Sequence, residues 1–244
     1  MQTNEKKVAL VTGANTGVGF QVAKALANNG YTVFVGSRDL QKGEAAVAEI
    51  GGDAKAIQIN ITDSTSITNA VKQIESEFGY LTLLVNNAAI SPKGDARLNT
   101  LTTARDLWRH VFEVNFFSTI WLAQGLVAEL AAGRGAIVNV TSIAGSRVHP
   151  FAGSAYATSK AALASLTREM AADMGPLGIR VNAIAPGEID TAILSPGTEK
   201  LVESIPLRRL GAPEEVAKAI YYLCTEQSSY VTGAELHING GQHV

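Results

Sequence analysis

Val8-Ala9-Leu10-Val11-Thr12-Gly13-Ala14-Asn15-Thr16-Gly17-Val18-Gly19 is the stretch on which the fold turns. Its first four residues are apolar without alternation, the pattern of a short strand covered on both faces. Glycines at 13, 17 and 19 punctuate a turn, and over residues 17–28 apolar residues recur at helical spacing until Gly30 ends the run. A buried strand, a glycine turn and a helix make the first half of a parallel crossover unit. Outward from it the alternation continues, with strand-like runs at 32–35, 56–59, 81–85, 136–140, 179–184 and 235–238. Between them helical patterns cover 41–50, 64–78, a long run over 104–131, then 154–174 and 213–224. The expected fold is therefore α/β: a single doubly wound Rossmann-type domain, with a parallel sheet of about seven strands and helices on both faces. No linker or internal repeat interrupts the pattern, so residues 1–244 read as one domain.

Bulk properties exclude several classes. Hydrophobic residues make up 46% of the 244, enough for a sizeable core, and the net charge of −2 leaves no basic footprint for nucleic acid or an anionic membrane. The single cysteine, Cys224, cannot form an internal disulfide. The polar start at residues 1–7 lacks the apolar stretch of a signal peptide, and no run is long and apolar enough to span a bilayer. A cytoplasmic protein is expected.

The glycine turn has a chemical reading. Glycines let a phosphate approach the backbone, and the following helix offers free N–H groups and the positive end of its dipole. The spacing Gly-x-x-x-Gly-x-Gly differs from the commonest dinucleotide fingerprint, but its position after the first strand points to a pyrophosphate site. Gly36-Ser37-Arg38-Asp39 ends the second strand. An acid at the Ser37 position would accept from the adenosine ribose of NAD; its absence, with Arg38 following, favours the 2′-phosphate of NADP. The alternative is a solvated Arg38 and an Asp39 that caps the next helix. Asp63, in Asn60-Ile61-Thr62-Asp63, can accept from an adenine amino group, cap the helix that follows, or do both. The pair Asn86-Asn87 ahead of Ala88-Ala89 suits a role in tying loops together.

Tyr156 and Lys160 are four apart on one helix face. A free phenol ionises near pH 10, too high for efficient proton transfer around neutrality, and a nearby ammonium lowers that value. Ser142, after the fifth strand, is placed to donate to a developing alkoxide. The pair alone is weak evidence; its weight comes from the conjunction with the glycine turn and Ser142.

In this order and spacing the motifs resemble the short-chain dehydrogenase/reductase family, over essentially the whole chain: Thr12-Gly13-x-x-x-Gly17-x-Gly19, Asn86-Asn87-Ala88-Ala89, Asn115, Ser142, Tyr156-x-x-x-Lys160 and Pro186-Gly187. The resemblance implies a catalytic tetrad of Asn115, Ser142, Tyr156 and Lys160. Tyr156 would be the acid/base, Ser142 would orient the carbonyl, and Lys160 would hold the nicotinamide ribose. Asn115 would bend a helix and hold a water in a proton relay. It implies a cofactor cleft lined by Gly13, Asn15, Thr16, Gly17, Val18, Gly19, Ser37, Arg38, Ile61, Asp63, Asn87, Ala88 and Val114, with Pro186, Gly187, Ile189 and Thr191 at the nicotinamide end. It further implies a homotetramer (or homodimer) to which the stretch 230–241 contributes. Two departures stand out: Ala89 replaces the family's usual glycine, and Thr16 stands where many NADP-preferring members have a basic residue.

Residues 193–205 resemble the family's lid over the substrate, within a loop of about 190–210. Ile143, Ala144, His149, Phe151, Glu188 and Ile193 are the expected pocket wall. His149 reads as a rim residue more than a polar contact. Glu188 either favours polar or cationic substrates or faces solvent. Few cations stand near these loops to hold a phosphopantetheine arm, though Arg134, Arg147, Arg208 and Arg209 are available. The expected function is hydride transfer between NADP(H) and a carbonyl or secondary alcohol. NAD(H)-linked oxidation of a polyol, sugar or steroid-like alcohol is the alternative, and a non-catalytic nucleotide sensor the third reading. No metal is called for.

Overall fold

A computed structural model describes residues 6–93, 98–191, 194 and 197–244. Seven strands form one parallel sheet: β1 (Lys7–Thr12), β2 (Tyr31–Ser37), β3 (Ala54–Gln58), β4 (Leu83–Asn86), β5 (Ala136–Val140), β6 (Arg180–Pro186) and β7 (Glu235–Ile238), in the order β3-β2-β1-β4-β5-β6-β7. The lack of polar alternation in β1 has its cause here. Ala9 and Val11 face one layer and Val8 and Leu10 the other, and all four are fully buried. The first layer is completed by α1 (Gly17–Asn28), α2 (Leu40–Ile50) and, later in the chain, α8 (Pro213–Cys224). On the opposite face lie α3 (Ser64–Glu77), α5 (Ser118–Gly125), α6 (Val127–Ala132) and α7 (Ser154–Met174). Each fully buried Leu or Val side chain contributes about 1.5–3 kcal/mol by leaving water, so both faces are needed to hold the sheet.

The strand order reverses at β1, which pairs with β2 through Val11↔Val35 and with β4 through Val11↔Val85. Beyond the C-terminal ends of β1 and β4 the two halves of the sheet part, and ligands of such sheets bind in that crevice.

The expected long helix over 104–131 is broken. It divides into α4 (Arg105–Phe112), a π-helical turn (Glu113–Phe117), α5 and α6. Asn115 is the physical reason for the first break. It is 2% exposed, its Oδ1 accepts from Ile90 N–H at 2.9 Å, and its Nδ2 donates to Ile90 O and Ser159 Oγ. The wider turn lets this amide fasten α7 and the loop after β4 together, at the cost of the regular ladder. Among the described residues no helix is long and apolar enough to cross a membrane.

Candidate active site

The glycine turn between β1 and α1 is built around close approaches. Gly13 and Gly17 hold φ values of 62° and 60°, in the left-handed region. At Gly19 a Cβ would lie 2.4 Å from Asn87 Nδ2 and 2.5 Å from Gly13 O. Asn87 laces the turn: its Nδ2 donates to Thr12 O at 2.9 Å and Gly13 O at 3.1 Å, while Thr12 Oγ1 accepts from the N–H groups of Asn87 and Ala88. Asn86 reaches the other way and donates to Asn139 Oδ1 on β5. No side chain caps the start of α1, so its first N–H groups face the crevice.

A cleft of about 470 Å³ runs from this turn across the ends of β4 and β5. Gly13, Asn15, Thr16, Gly17 and Val18 line one end, with Arg38 beside them. Ile61, Asn87, Ala88 and Val114 form the middle, with Ala89 among them. Ser142, Tyr156 and Lys160 meet Pro186, Gly187, Ile189 and Thr191 at the far end. Three expected residues do not line it. Gly19 lies beneath the turn. Ser37 is buried, and its Oγ accepts from Asp39 N–H at 3.3 Å. Asp63 Oδ1 takes the N–H groups of Thr65 and Ser66, so this carboxylate caps α3 and Asn60, Ile61 and Thr62 form the wall instead. Asp39 likewise caps α2 through Lys42 N–H. The sequence reading missed Asn60, Thr62, Ile90 and His110 as lining residues. The polar loop after β3 carried a signal for the first two; nothing in the pattern of α4 singles out His110.

Tyr156 and Lys160 project from the first turns of α7. Lys160 is 2% exposed, and its Nζ donates to Val140 O at 2.6 Å and lies 5.8 Å from the centre of the Tyr156 ring. Burial brings its pKa down to about 7. Burial also pushes the Tyr156 phenol up; a hydrogen bond with Ser142 pulls it back, and the Glu188 carboxylate raises it again. The expectation of a tyrosine lowered by the lysine is therefore corrected for the cofactor-free protein: a half-neutral ammonium stabilises a phenolate poorly, and desolvation dominates. Ser142 Oγ accepts from Ala144 N–H at 3.2 Å, which leaves its own proton to donate.

The depressed lysine has a consequence for stability. The unfolded chain takes up this proton below 10.5 and the folded one only below about 7, so its contribution to stability rises with pH through that window. Lys160→Met removes the burial penalty. The cofactor-free variant should melt above the parent at pH 7, by a margin that shrinks toward pH 10.5. A deficit that is the same at both ends of the window in scanning fluorimetry would contradict this.

A smaller cavity of about 100 Å³ opens next to Tyr156 and Ser142. Ile143, Ala144, His149, Phe151 and Glu188 line it, joined by Leu194 and by Ser91, Ala152 and Thr198, the last three not singled out by the sequence reading. Ile193, Ser195 and Pro196 lie outside the described residues. Two expectations change. His149 is not on the rim: its side chain is 11% exposed, and Nε2 is hydrogen-bonded to Glu188 Oε1. Glu188 does not face solvent, being 7% exposed. Arg147 donates to Gln242 O and Arg209 is paired bidentately with Glu215, so both have internal partners. Lys93 Nζ donates to Leu194 O at 2.7 Å and ties the loop after β4 to the chain beyond β6.

Comparison with known proteins bears on this arrangement. A family model described as Enoyl-(Acyl carrier protein) reductase matches residues 13–243. The chain is 54% identical to protein FixR of Bradyrhizobium diazoefficiens, over 98% of this chain and 88% of FixR. It is 34% identical to the 3-oxoacyl-[acyl-carrier-protein] reductase FabG of Escherichia coli, over 98% of each chain. It superposes with a TM-score of 0.80 on the crystal structure of a Brucella ovis oxidoreductase (short chain dehydrogenase/reductase family) in complex with a partially ordered NAD, at 48% identity over 96% of this chain and 100% of that one.

Proposed function

Because the chain belongs to the short-chain dehydrogenase/reductase family, and is thereby a pyridine-nucleotide-dependent oxidoreductase, we propose that it interconverts a small ketone or aldehyde and its alcohol with NADP(H) as the preferred cofactor and Tyr156 as acid and base. The observation that carries this reading is the meeting of Tyr156, Ser142 and Lys160 at one end of a cleft whose other end is the glycine turn.

The residues present fit a dinucleotide. A Cβ at Gly13 would come within 3.0 Å of Ala88 Cα, so the bare backbone there is both open to a phosphate and required by the packing. Gly13, Asn15, Thr16, Gly17 and Val18 would hold the pyrophosphate, Arg38 the 2′-phosphate, Lys160 the nicotinamide ribose, and Ile189 and Thr191 the carboxamide. When bound, the cofactor supplies or takes up the hydride. This chain's own residues handle the proton. Tyr156 Oη gives it to the carbonyl oxygen during reduction, and Ser142 donates a hydrogen bond to the same oxygen as negative charge grows on it. A phenol raised by burial suits the acid of a reduction better than the base of an oxidation. Asn115 is a positioning residue in this scheme, since its amide braces α7 below Tyr156.

Cofactor preference rests on Arg38 at the cleft wall with no acid at Ser37. The Brucella ovis structure contains NAD, which supports the NAD(H)-linked alternative. The two separate by experiment: Arg38→Ala should raise KM for NADPH about 10- to 100-fold, the worth of a charge-assisted contact, and leave NADH nearly unchanged. An equal rise for both cofactors would defeat the phosphate assignment. Reduction of a 3-oxoacyl group on a carrier protein is the second reading, favoured by the named activity of FabG. The partnered Arg147 and Arg209 and the modest cavity favour the small carbonyl. Turnover of acyl thioesters in preference to free ketones would reverse that order, and tight cofactor binding with no turnover of either would favour the nucleotide sensor. A homotetramer (or homodimer) is supported by the half-exposed stack of Phe117 and Trp121 and by the fully exposed Tyr230. A cytoplasmic location is supported by the lone thiol of Cys224.

A further inference from the structure

Glu188 and His149 come from loops 39 residues apart and meet inside the substrate cavity. Each is held from behind. His149 Nδ1 accepts the N–H groups of Phe151 and Ala152, both at 3.2 Å. A proton on Nδ1 would point at two donors, so the ring carries its proton on Nε2 and Nε2 is the donor to Glu188 Oε1. The contact is thus an oriented hydrogen bond from imidazole to carboxylate rather than an ion pair that cancels the carboxylate's charge. On the other side the backbone N–H of Glu188 is fixed by Gln242 Oε1 at 3.2 Å.

The cavity around this pair is otherwise uncharged. Ile143, Ala144, Phe151 and Ala152 give it apolar walls, Ser91 and Thr198 hydroxyls, and no Lys or Arg is among its described lining residues. The carboxylate is close enough to Tyr156 for its charge to act on the phenol. A carboxylate has about four acceptor sites, and His149 occupies one. A low-dielectric wall strengthens whatever a remaining site binds and makes an unmatched substrate costly.

We propose that Glu188, oriented by His149, is the specificity-determining group of the cavity: it accepts a hydrogen bond from a hydroxyl or ammonium group that the substrate carries on the carbon next to the reacting carbonyl. This rests on the carbonyl-reductase reading above. The substrate class is then the small hydroxy or amino ketones and their alcohols. Simple alkyl ketones lack the donor, and oxo acids bring a second negative charge to a carboxylate that has no cation beside it. His149 acts through Glu188 and is a positioning residue.

The test uses four ketones of one shape, butanone, hydroxyacetone, aminoacetone and pyruvate, with each cofactor and the intact wild-type enzyme. Hydroxyacetone and aminoacetone should exceed butanone in kcat/KM by about 10- to 100-fold, and pyruvate should fall below it. Glu188→Gln should cut the advantage of aminoacetone at least tenfold and raise pyruvate, chiefly through KM, with cofactor affinity retained. His149→Ala should lose the same discrimination. His149→Gln, whose longer side chain brings an amide N–H to the position of Nε2 and can donate to Glu188, should recover part of it; a merely structural histidine would not yield that order. Butanone reduced as well as hydroxyacetone and aminoacetone overturns the assignment of Glu188 and leaves the carbonyl-reductase reading standing. No turnover of any of the four with either cofactor overturns that reading and the inference with it. The order of the four ketones on wild-type enzyme decides the matter even where a variant fails to fold.

Discussion

Tyr156→Phe should lose about a thousandfold or more in turnover and bind the cofactor nearly as tightly as the parent. The phenol hydroxyl is small beside the surface the cofactor would bury, and Lys160 keeps its own anchor on Val140 O. The ring and its packing on α7 survive the change, so the loss isolates the proton. Ser142 cannot replace it: its hydroxyl is held between Ala144 N–H and Tyr156, and a serine has no accessible ionisation near neutrality. Parallel measurements of nicotinamide absorbance change and of cofactor binding by fluorescence separate the two effects. Retained activity would remove Tyr156 from the mechanism. The wild-type pH profile carries the same information. With the phenol raised by burial and by Glu188, reduction should hold level through neutrality, while alcohol oxidation should climb as the medium becomes alkaline.

Gly19→Ala should deform the turn that shapes one end of the cleft. The added carbon would press on Gly13 O at 2.5 Å and Asn87 Nδ2 at 2.4 Å, and Ala14 Cα is only 3.1 Å away. Two of these atoms are backbone of the phosphate turn, and the third is the amide that laces the turn to β4, so no flexible tip can give way. Overpacking of this kind costs about 1–3 kcal/mol. We expect a melting temperature lower by several degrees and cofactor affinity weaker by about tenfold or more. Gly175→Ala is the control, since nothing lies within 4 Å of its added carbon. If Gly19→Ala binds and melts like the parent, the tight turn is not what shapes the site.

Much of this was legible in the sequence because it depends on local pattern. The bounds of α1, α7, α8, β5 and β7 follow from apolar spacing and from Gly and Pro at the ends. The break at Glu113–Phe117 was not legible in the periodicity, because apolar residues continue through it in helical register; only the resemblance implied a bend at Asn115, and its cause is a polar contact with Ile90 and Ser159. Asp63 had two compatible uses, and only its geometry against Thr65 and Ser66 separates them. His149 read as a rim residue more than a polar contact; its partner is 39 positions away, a distance over which no periodicity carries information. The state of Tyr156 was misjudged because residue spacing reports which groups are neighbours and not how much water they have lost.

The groups proposed to handle the proton share one support. Lys160 hangs from the last residue of β5, and Ser142 follows that strand by two positions. Ile143, Ala144, His149, Phe151, Ala152, Glu188, Leu194 and Thr198, which shape the neighbouring cavity, all lie outside the strands and the long helices. A lineage can therefore rewrite its loops one substitution at a time without touching the groups that move the proton. Change of substrate would be cheap in such a protein and change of reaction expensive, which makes the pair His149 and Glu188 a place to look for divergence among relatives whose proton chemistry is the same.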